Sequence, residues 1–196
     1  MKLHFSILSL IFINILFFSF KKDNTYKIDL TKSGMTWRMP ITGGEHNGTI
    51  KINSGYLVYD GNAIKAGTFT IDLNTVKDLD LEKEKQPKIE AHIKSEDFFE
   101  TAKYPYATFV IDKIEKKEDN ELMAYGKLTI KNITKPISFP VKFKESNNVL
   151  YVTADKIKIN RKQYGIEIKN KGFKGGLKEM VINDAFNVSF SIALHP

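Results

Sequence analysis

The sequence predicts an all-β protein: an antiparallel barrel or sandwich of roughly eight to ten short strands with one short helical insert. Three observations predict it. After residue 20, isoleucine (19) outnumbers leucine (10) and alanine (9), and β-branched and aromatic side chains dominate the apolar set. That composition suits a pleated, half-buried surface. Apolar residues recur at every second position, the strand period, and clusters of Gly, Asn, Asp and Ser separate the runs.

Tyr26, Ile28 and Leu30 alternate with polar neighbours, and Met35, Trp37 and Met39 do the same after a break at Ser33-Gly34. These are two opening strands. From Thr49 the pattern passes through Ile50 and Ile52, meets Gly55, resumes from Tyr56 to Tyr59, and after Asp60-Gly61 runs from Ala66 to Leu73. Asp-Gly between apolar runs signals a hairpin, because its central residues accept positive φ. A charged stretch, Glu82 to Gln86, leads to Pro87, after which Ile89 and Ile93 fall four apart. This predicts a short amphipathic helix over Pro87–Lys94 lying against the sheet, with proline at its first position. Ser95-Glu96-Asp97 reads as a cap with acids in the first turn, seating Phe98 and Phe99 downward, with a plain loop as the alternative.

Period two then returns in Ala107, Phe109 and Ile111, in Leu122, Ala124, Leu128 and Ile130, and in Ile137, Phe139, Val141 and Phe143. Asp119-Asn120 and Ser146-Asn147-Asn148 are the connecting loops. Val149 to Ile159 adds another run before Asn160-Arg161-Lys162 breaks it, and Phe186, Val188, Phe190 and Ile192 mark a final strand. No repeat or low-complexity linker divides residues 21–196, which are read as one domain.

Residues 1–20 stand apart, with 14 apolar side chains. Lys2 and the free amine precede an apolar run from Phe5 to Phe20 broken only by Ser6, Ser9, Asn14 and Ser19. This reads as a signal peptide and predicts a periplasmic protein. No A-x-A pattern fixes a cleavage site. At about 18 residues, Leu3–Phe20 is at the lower edge of a bilayer span, so an uncleaved membrane anchor is the alternative.

Composition excludes several chemistries. With no cysteine there is no disulfide framework, thiolate nucleophile or sulfur-ligated metal. The formal charge of +7 is spread over wet strand faces, as in Lys156-Ile157-Lys158-Ile159, and does not form a nucleic-acid patch. Of four histidines, His4 lies in the leader and His195 at the C-terminus. His46 and His92 fall in no metal-ligand spacing, and they read as hydrogen-bonded or surface side chains. No nucleophile elbow, phosphate loop or dinucleotide fingerprint is present. Asp78 and Asp80, like Glu82 and Glu84, read as solvated acids of the charged connector, where nothing raises a pKa for acid–base work.

The inward side is rich in rings. If alternate residues face in, Trp37, Phe69, Phe109, Phe139, Phe143, Phe186 and Phe190 crowd one interior, joined by Phe98 and Phe99. A barrel of about eight strands either fills with side chains or holds one small ligand, and the residues leave both readings open.

From Thr25 to Leu194 the chain resembles the YceI-like family, the lipocalin-like polyisoprenoid-binding proteins of bacteria. The motifs are Trp37 with His46-Asn47-Gly48, Gly67 to Leu73, and Ile89 to Phe99. Further on come Tyr104-Pro105 with Ala107 and Phe109, Gly126 to Ile130 with Thr134-Lys135-Pro136, and Asn160-Arg161 before Tyr164-Gly165-Ile166. The resemblance implies an exported, lipocalin-like antiparallel barrel of about eight strands that is not an enzyme and uses no cofactor or metal. Its interior, with the nine rings above as ligand-binding residues, would hold an isoprenoid, quinone or fatty acyl lipid, with membrane contact for ligand exchange. His46 and His92 match family positions and read as hydrogen-bonding within the turn and the insert, with mouth-lining contact to a head group as the alternative. Two rivals remain. One is a lipid-modifying enzyme with His46 or His92 as general base; the other is a solid-core interaction module with Tyr56 and Tyr59 as a docking face.

Overall fold

The computed structural model describes residues 23–117, 121–167 and 183–196. The leader and the Asp119-Asn120 loop lie outside these residues. The described residues form nine strands: β1 (Asn24–Ile28), β2 (Gly34–Ile41), β3 (Gly44–Tyr59), β4 (Ile64–Asp78), β5 (Tyr106–Lys116), β6 (Leu122–Ile130), β7 (Ile133–Ser146), β8 (Val149–Asn160) and β9 (Ala185–His195). One helix, α1 (Gln86–Lys94), stands between β4 and β5. The sheet runs β1-β3-β2-β9-β8-β7-β6-β5-β4, and β4 returns to β3 to close it.

Nine strands make eight staves. Both β1 and β2 run antiparallel to β3 on one side and β9 on the other: β1 against Tyr56–Tyr59 and Leu194–His195, β2 against Gly44–Ile50 and Asn187–Ser191. They therefore occupy one position in tandem, joined through the Asp29–Ser33 turn. Leu30, read from the sequence as part of the first strand, sits in that turn and is exposed.

Turn chemistry sets the hairpins. Lys131 and Asn132 (φ 49° and 59°) join β6 to β7, and Asn147 and Asn148 (φ 52° and 60°) join β7 to β8. Two central residues with positive φ match the twist of the flanking strands. At the β3–β4 hairpin, Asp60 Oδ1 accepts from the N–H groups of Asn62 (2.8 Å) and Ala63 (2.7 Å). β7 changes partner midway: Ile133–Val141 pairs with β6, and Lys142–Ser146 with β8. Beside the first half of β7 packs a turn of 3-10 helix, Arg161–Tyr164. Buried Arg161 fixes this turn by donating to the carbonyls of Ile166 (2.7 Å) and Asn183 (3.1 Å).

Helix α1 begins one residue earlier than predicted, so Pro87 is its second residue, where its missing N–H costs nothing. Ile89 and Ile93 are buried, as the four-residue spacing requires. Ser95 ends the helix, with both its N–H (3.1 Å) and its hydroxyl (2.7 Å) donating to the His92 carbonyl. This corrects the reading of Ser95-Glu96-Asp97 as the start of a further helical turn. Phe98 and Phe99 nonetheless turn inward and close this end of the barrel. Their rings lie 4.7 Å apart, and Phe186 lies 6.5 and 6.1 Å from them.

Candidate ligand-binding cavity

Inside the barrel lies a cavity of about 130 Å³. Strands β2 to β9, α1 and the turn after it all contribute to its wall, and among the described residues every one that lines it is apolar. Trp37 carries the one polar side-chain atom of the lining, and its indole N–H is engaged by the Thr49 carbonyl at 3.2 Å. The ring therefore offers the cavity its carbon surface. Phe109, Phe139 and Phe190 form a row across the middle, with centroid separations of 5.2 and 6.2 Å. Phe69, Phe109 and Phe190 face inward yet are only partly buried, because the space before them is unfilled.

Of the nine rings named from the sequence, Trp37, Phe69, Phe98, Phe99, Phe109, Phe139, Phe186 and Phe190 line this cavity. Phe143 does not. It packs beyond the far end at a tilt against Tyr59, with centroids 5.3 Å apart, and Tyr59 meets Tyr26 edge to face at 6.0 Å. Alternation gives the side of a strand, but not the height along the barrel at which a side chain stands. Sequence reasoning also passed over aliphatic walls such as Met35, Ile50, Leu57 and Ile137, although the same period-two signal marks them. In the proposed docking face, Tyr56 is 41% exposed while Tyr59 is buried at 6%. Three positions apart on β3, they point to opposite faces of the strand.

Neither His46 nor His92 is among the lining residues. His92 lies on α1 with its ring 6.4 Å from Phe98, and burial pushes its pKa below the ordinary histidine value. His46 is buried on β3, and its Nδ1 lies 2.9 Å from Asp80 Oδ2. The register Gly48↔Asp78 brings them together. Here the reading of solvated acids is overturned for Asp78, which ends β4 with 1% of its surface exposed and whose carboxyl burial pushes up, whereas Asp80, Glu82 and Glu84 are exposed as that reading has them. Burial acts to raise the Asp80 carboxyl too, but the N–H of Asn47 and the His46 ring outweigh it and hold the carboxyl down.

The YceI-like domain family matches residues 26–194. Among curated relatives, the chain is 35% identical over 95 residues to Protein YceI of Escherichia coli O157:H7, covering 48% of this chain and 47% of that one. It is 36% identical over 90 residues to a UPF0312 protein of Vibrio vulnificus, covering 46% of each. The matched stretch thus spans about half the length of these relatives. Two solved structures share the fold. Burkholderia cenocepacia BcnA has a TM-score of 0.70 at 20% identity, covering 85% of this chain and 98% of that one. A polyisoprenoid binding domain from Saccharophagus degradans, implicated in plant cell wall breakdown, has a TM-score of 0.66 at 18% identity, covering 87% and 97%. Closed antiparallel architecture, the helical insert and a match from β1 to β9 agree: the chain belongs to the YceI-like domain family.

Proposed function

We propose that this chain is an exported, non-catalytic carrier or store that holds an isoprenoid or another long apolar chain in its barrel. The observation that carries this reading is the axial cavity with its wholly apolar wall. A carbon-lined space seats a prenyl or alkyl chain by burial alone, worth roughly 25 cal/mol per Å² of apolar surface. Family membership and the polyisoprenoid-binding neighbour support the same ligand class. Export rests on the charge and apolar run of residues 1–20.

The size of the space limits what enters without movement. A cavity of about 150 Å³ takes up a benzene ring, and this one, at about 130 Å³, is comparable. A ring or the end of a chain fits this cavity as the barrel stands, and Met35, Val141 and Phe190 of its wall also line a wider, open pocket beside it. The test is organic extraction of protein purified from its host without detergent, with mass spectrometry of the extract. A prenyl lipid, quinone or fatty acyl species near one per chain is expected. An empty protein that also fails to take up a polyprenol in vitro would overturn the reading.

A further inference from the structure

We propose that His46, Asp78 and Asp80 form a divalent-cation site at the helix-bearing end of the barrel, separate from the apolar cavity. One nitrogen of His46 and one oxygen of each aspartate lie within 4.8 Å of one another. Ligands about 2.0–2.2 Å from a shared ion lie closer together than this, so a small closure completes the site. His46 Nδ1 and Asp80 Oδ2, at 2.9 Å, already stand at such a spacing.

A second observation points to a missing partner. His46 Nε2 and Asp78 Oδ2 are both buried without a hydrogen-bond partner, on residues only 6% and 1% exposed. Buried polar atoms are seldom left unpaired in folded proteins; with His46 Nδ1 beside Asp80, Asp78 Oδ2 is the unpaired atom on the side of the shared ion, and His46 Nε2 lies on the opposite side of the ring. Each carboxylate, meanwhile, is oriented through its other oxygen. Asp78 Oδ1 accepts from the Leu81 N–H at 3.0 Å, and Asp80 Oδ1 from the Asn47 N–H at 2.7 Å. Such outer bonds aim a ligand before the ion arrives.

Donor chemistry selects the ion. Two carboxylates beside an imidazole nitrogen supply the charge that a divalent cation neutralises. Mixed nitrogen and oxygen donors favour zinc or a neighbouring transition metal over magnesium and calcium, which take oxygen ligands. His46 and Asp80 are 34 positions apart, so the site exists only once β3 and β4 have paired. A bound ion would tie β3 to the segment leading into α1, clamping the end that Phe98 and Phe99 close.

The full chain, stripped with chelator, is titrated with Zn²⁺ while calorimetry, thermal unfolding and the ¹H–¹⁵N resonances of the histidine rings are followed. Expected are saturable one-site binding, a raised melting temperature and a shift of the His46 ring resonances. Asp78→Asn and Asp80→Asn should each weaken binding by about tenfold or more. A surface pair, His195 with Asp29 at 3.3 Å, is controlled by His195→Ala, which should leave the affinity unchanged. The proposal is overturned if no binding occurs up to about 1 mM Zn²⁺, if only His92 or His195 resonances move, or if Asp78→Asn binds as the parent does. The resonance readout on the parent chain decides the matter even if the variants do not fold. Failure here leaves the lipid reading untouched.

Discussion

Replacing Phe139 by alanine tests whether the row of rings governs the cavity. Phe139 is 6% exposed and stands between Phe109 at 5.2 Å and Phe190 at 6.2 Å. A buried Phe→Ala change costs about 3–5 kcal/mol. Phe139 already borders empty space, so the lower part of that range applies, about 3 kcal/mol. If about 2 kcal/mol of it is the void left behind, at ~24 cal/mol per Å³ the void grows by roughly 80 Å³. The present 130 Å³ would then become roughly 210 Å³. The assay is urea unfolding of delipidated parent and variant, with and without a polyprenol. The variant should lose about 3 kcal/mol without ligand. It should regain more from the polyprenol than the parent does, because a guest fills the added space and binds only the folded state. A loss below about 1 kcal/mol, or equal gains from ligand in both proteins, would refute the argument that these rings limit the space.

Other outcomes follow from particular contacts. A Cβ on Gly126 would strike the Val110 carbonyl and the Phe109 ring, whereas nothing lies within 4 Å of one on Gly34. Gly126→Ala should therefore cost about 1–3 kcal/mol in chemical denaturation while Gly34→Ala stays near neutral, and equal effects would count against the packing. The Asp60 carboxyl is lowered from 3.8 to about 2, chiefly by Lys65 and then by the N–H groups of Ala63 and Asn62. A group depressed in the folded state stabilises above its unfolded pKa and loses that contribution as pH falls. The melting-temperature gap between parent and Asp60→Asn should thus be full above pH 3.8 and close as pH drops through about 2; a gap constant across that window would contradict it. Arg161→Met leaves the Ile166 and Asn183 carbonyls without their donors and should cost about 3 kcal/mol in urea unfolding. A change under about 0.5 kcal/mol would show that the 3-10 turn does not depend on this side chain.

Strand positions were legible because one side of each strand must be apolar and the other wet. Phe186, Val188, Phe190 and Ile192 mark β9 by that rule alone, and Pro87 with Ile89 and Ile93 marks α1. Tandem occupation of one stave by β1 and β2 was not legible, since it depends on where Tyr56–Tyr59 and Leu194–His195 run in space. The His46, Asp78 and Asp80 cluster was hidden for a similar reason. Pairing between β3 and β4 jumps from Lys51↔Asp72 to Thr49↔Lys77, and only that bulge brings Asp78 opposite Gly48. Without the register, Asp78 looks like one more acid in a charged connector. With it, Asp78 is a strand residue facing inward.

Whether an eight-stave barrel is filled or hollow is decided by where its rings lie, and here two inward glycines decide it. Period two identifies the ring-bearing positions but is the same for a solid core and for a lined cavity. Gly55 faces inward on β3 opposite Phe69, and a Cβ there would occupy the space of the Phe69 ring. Gly126 on β6 does the same for Phe109, which crosses from β5. With no side chain on either glycine, each ring occupies the space over it and lines the cavity from there. A residue as small as alanine at either position would push a ring toward the centre, into the space now free. An inward glycine beside a ring on a neighbouring strand is therefore a sequence feature that favours a hollow barrel over a packed one, and it could be read before any coordinates once strand pairing is known.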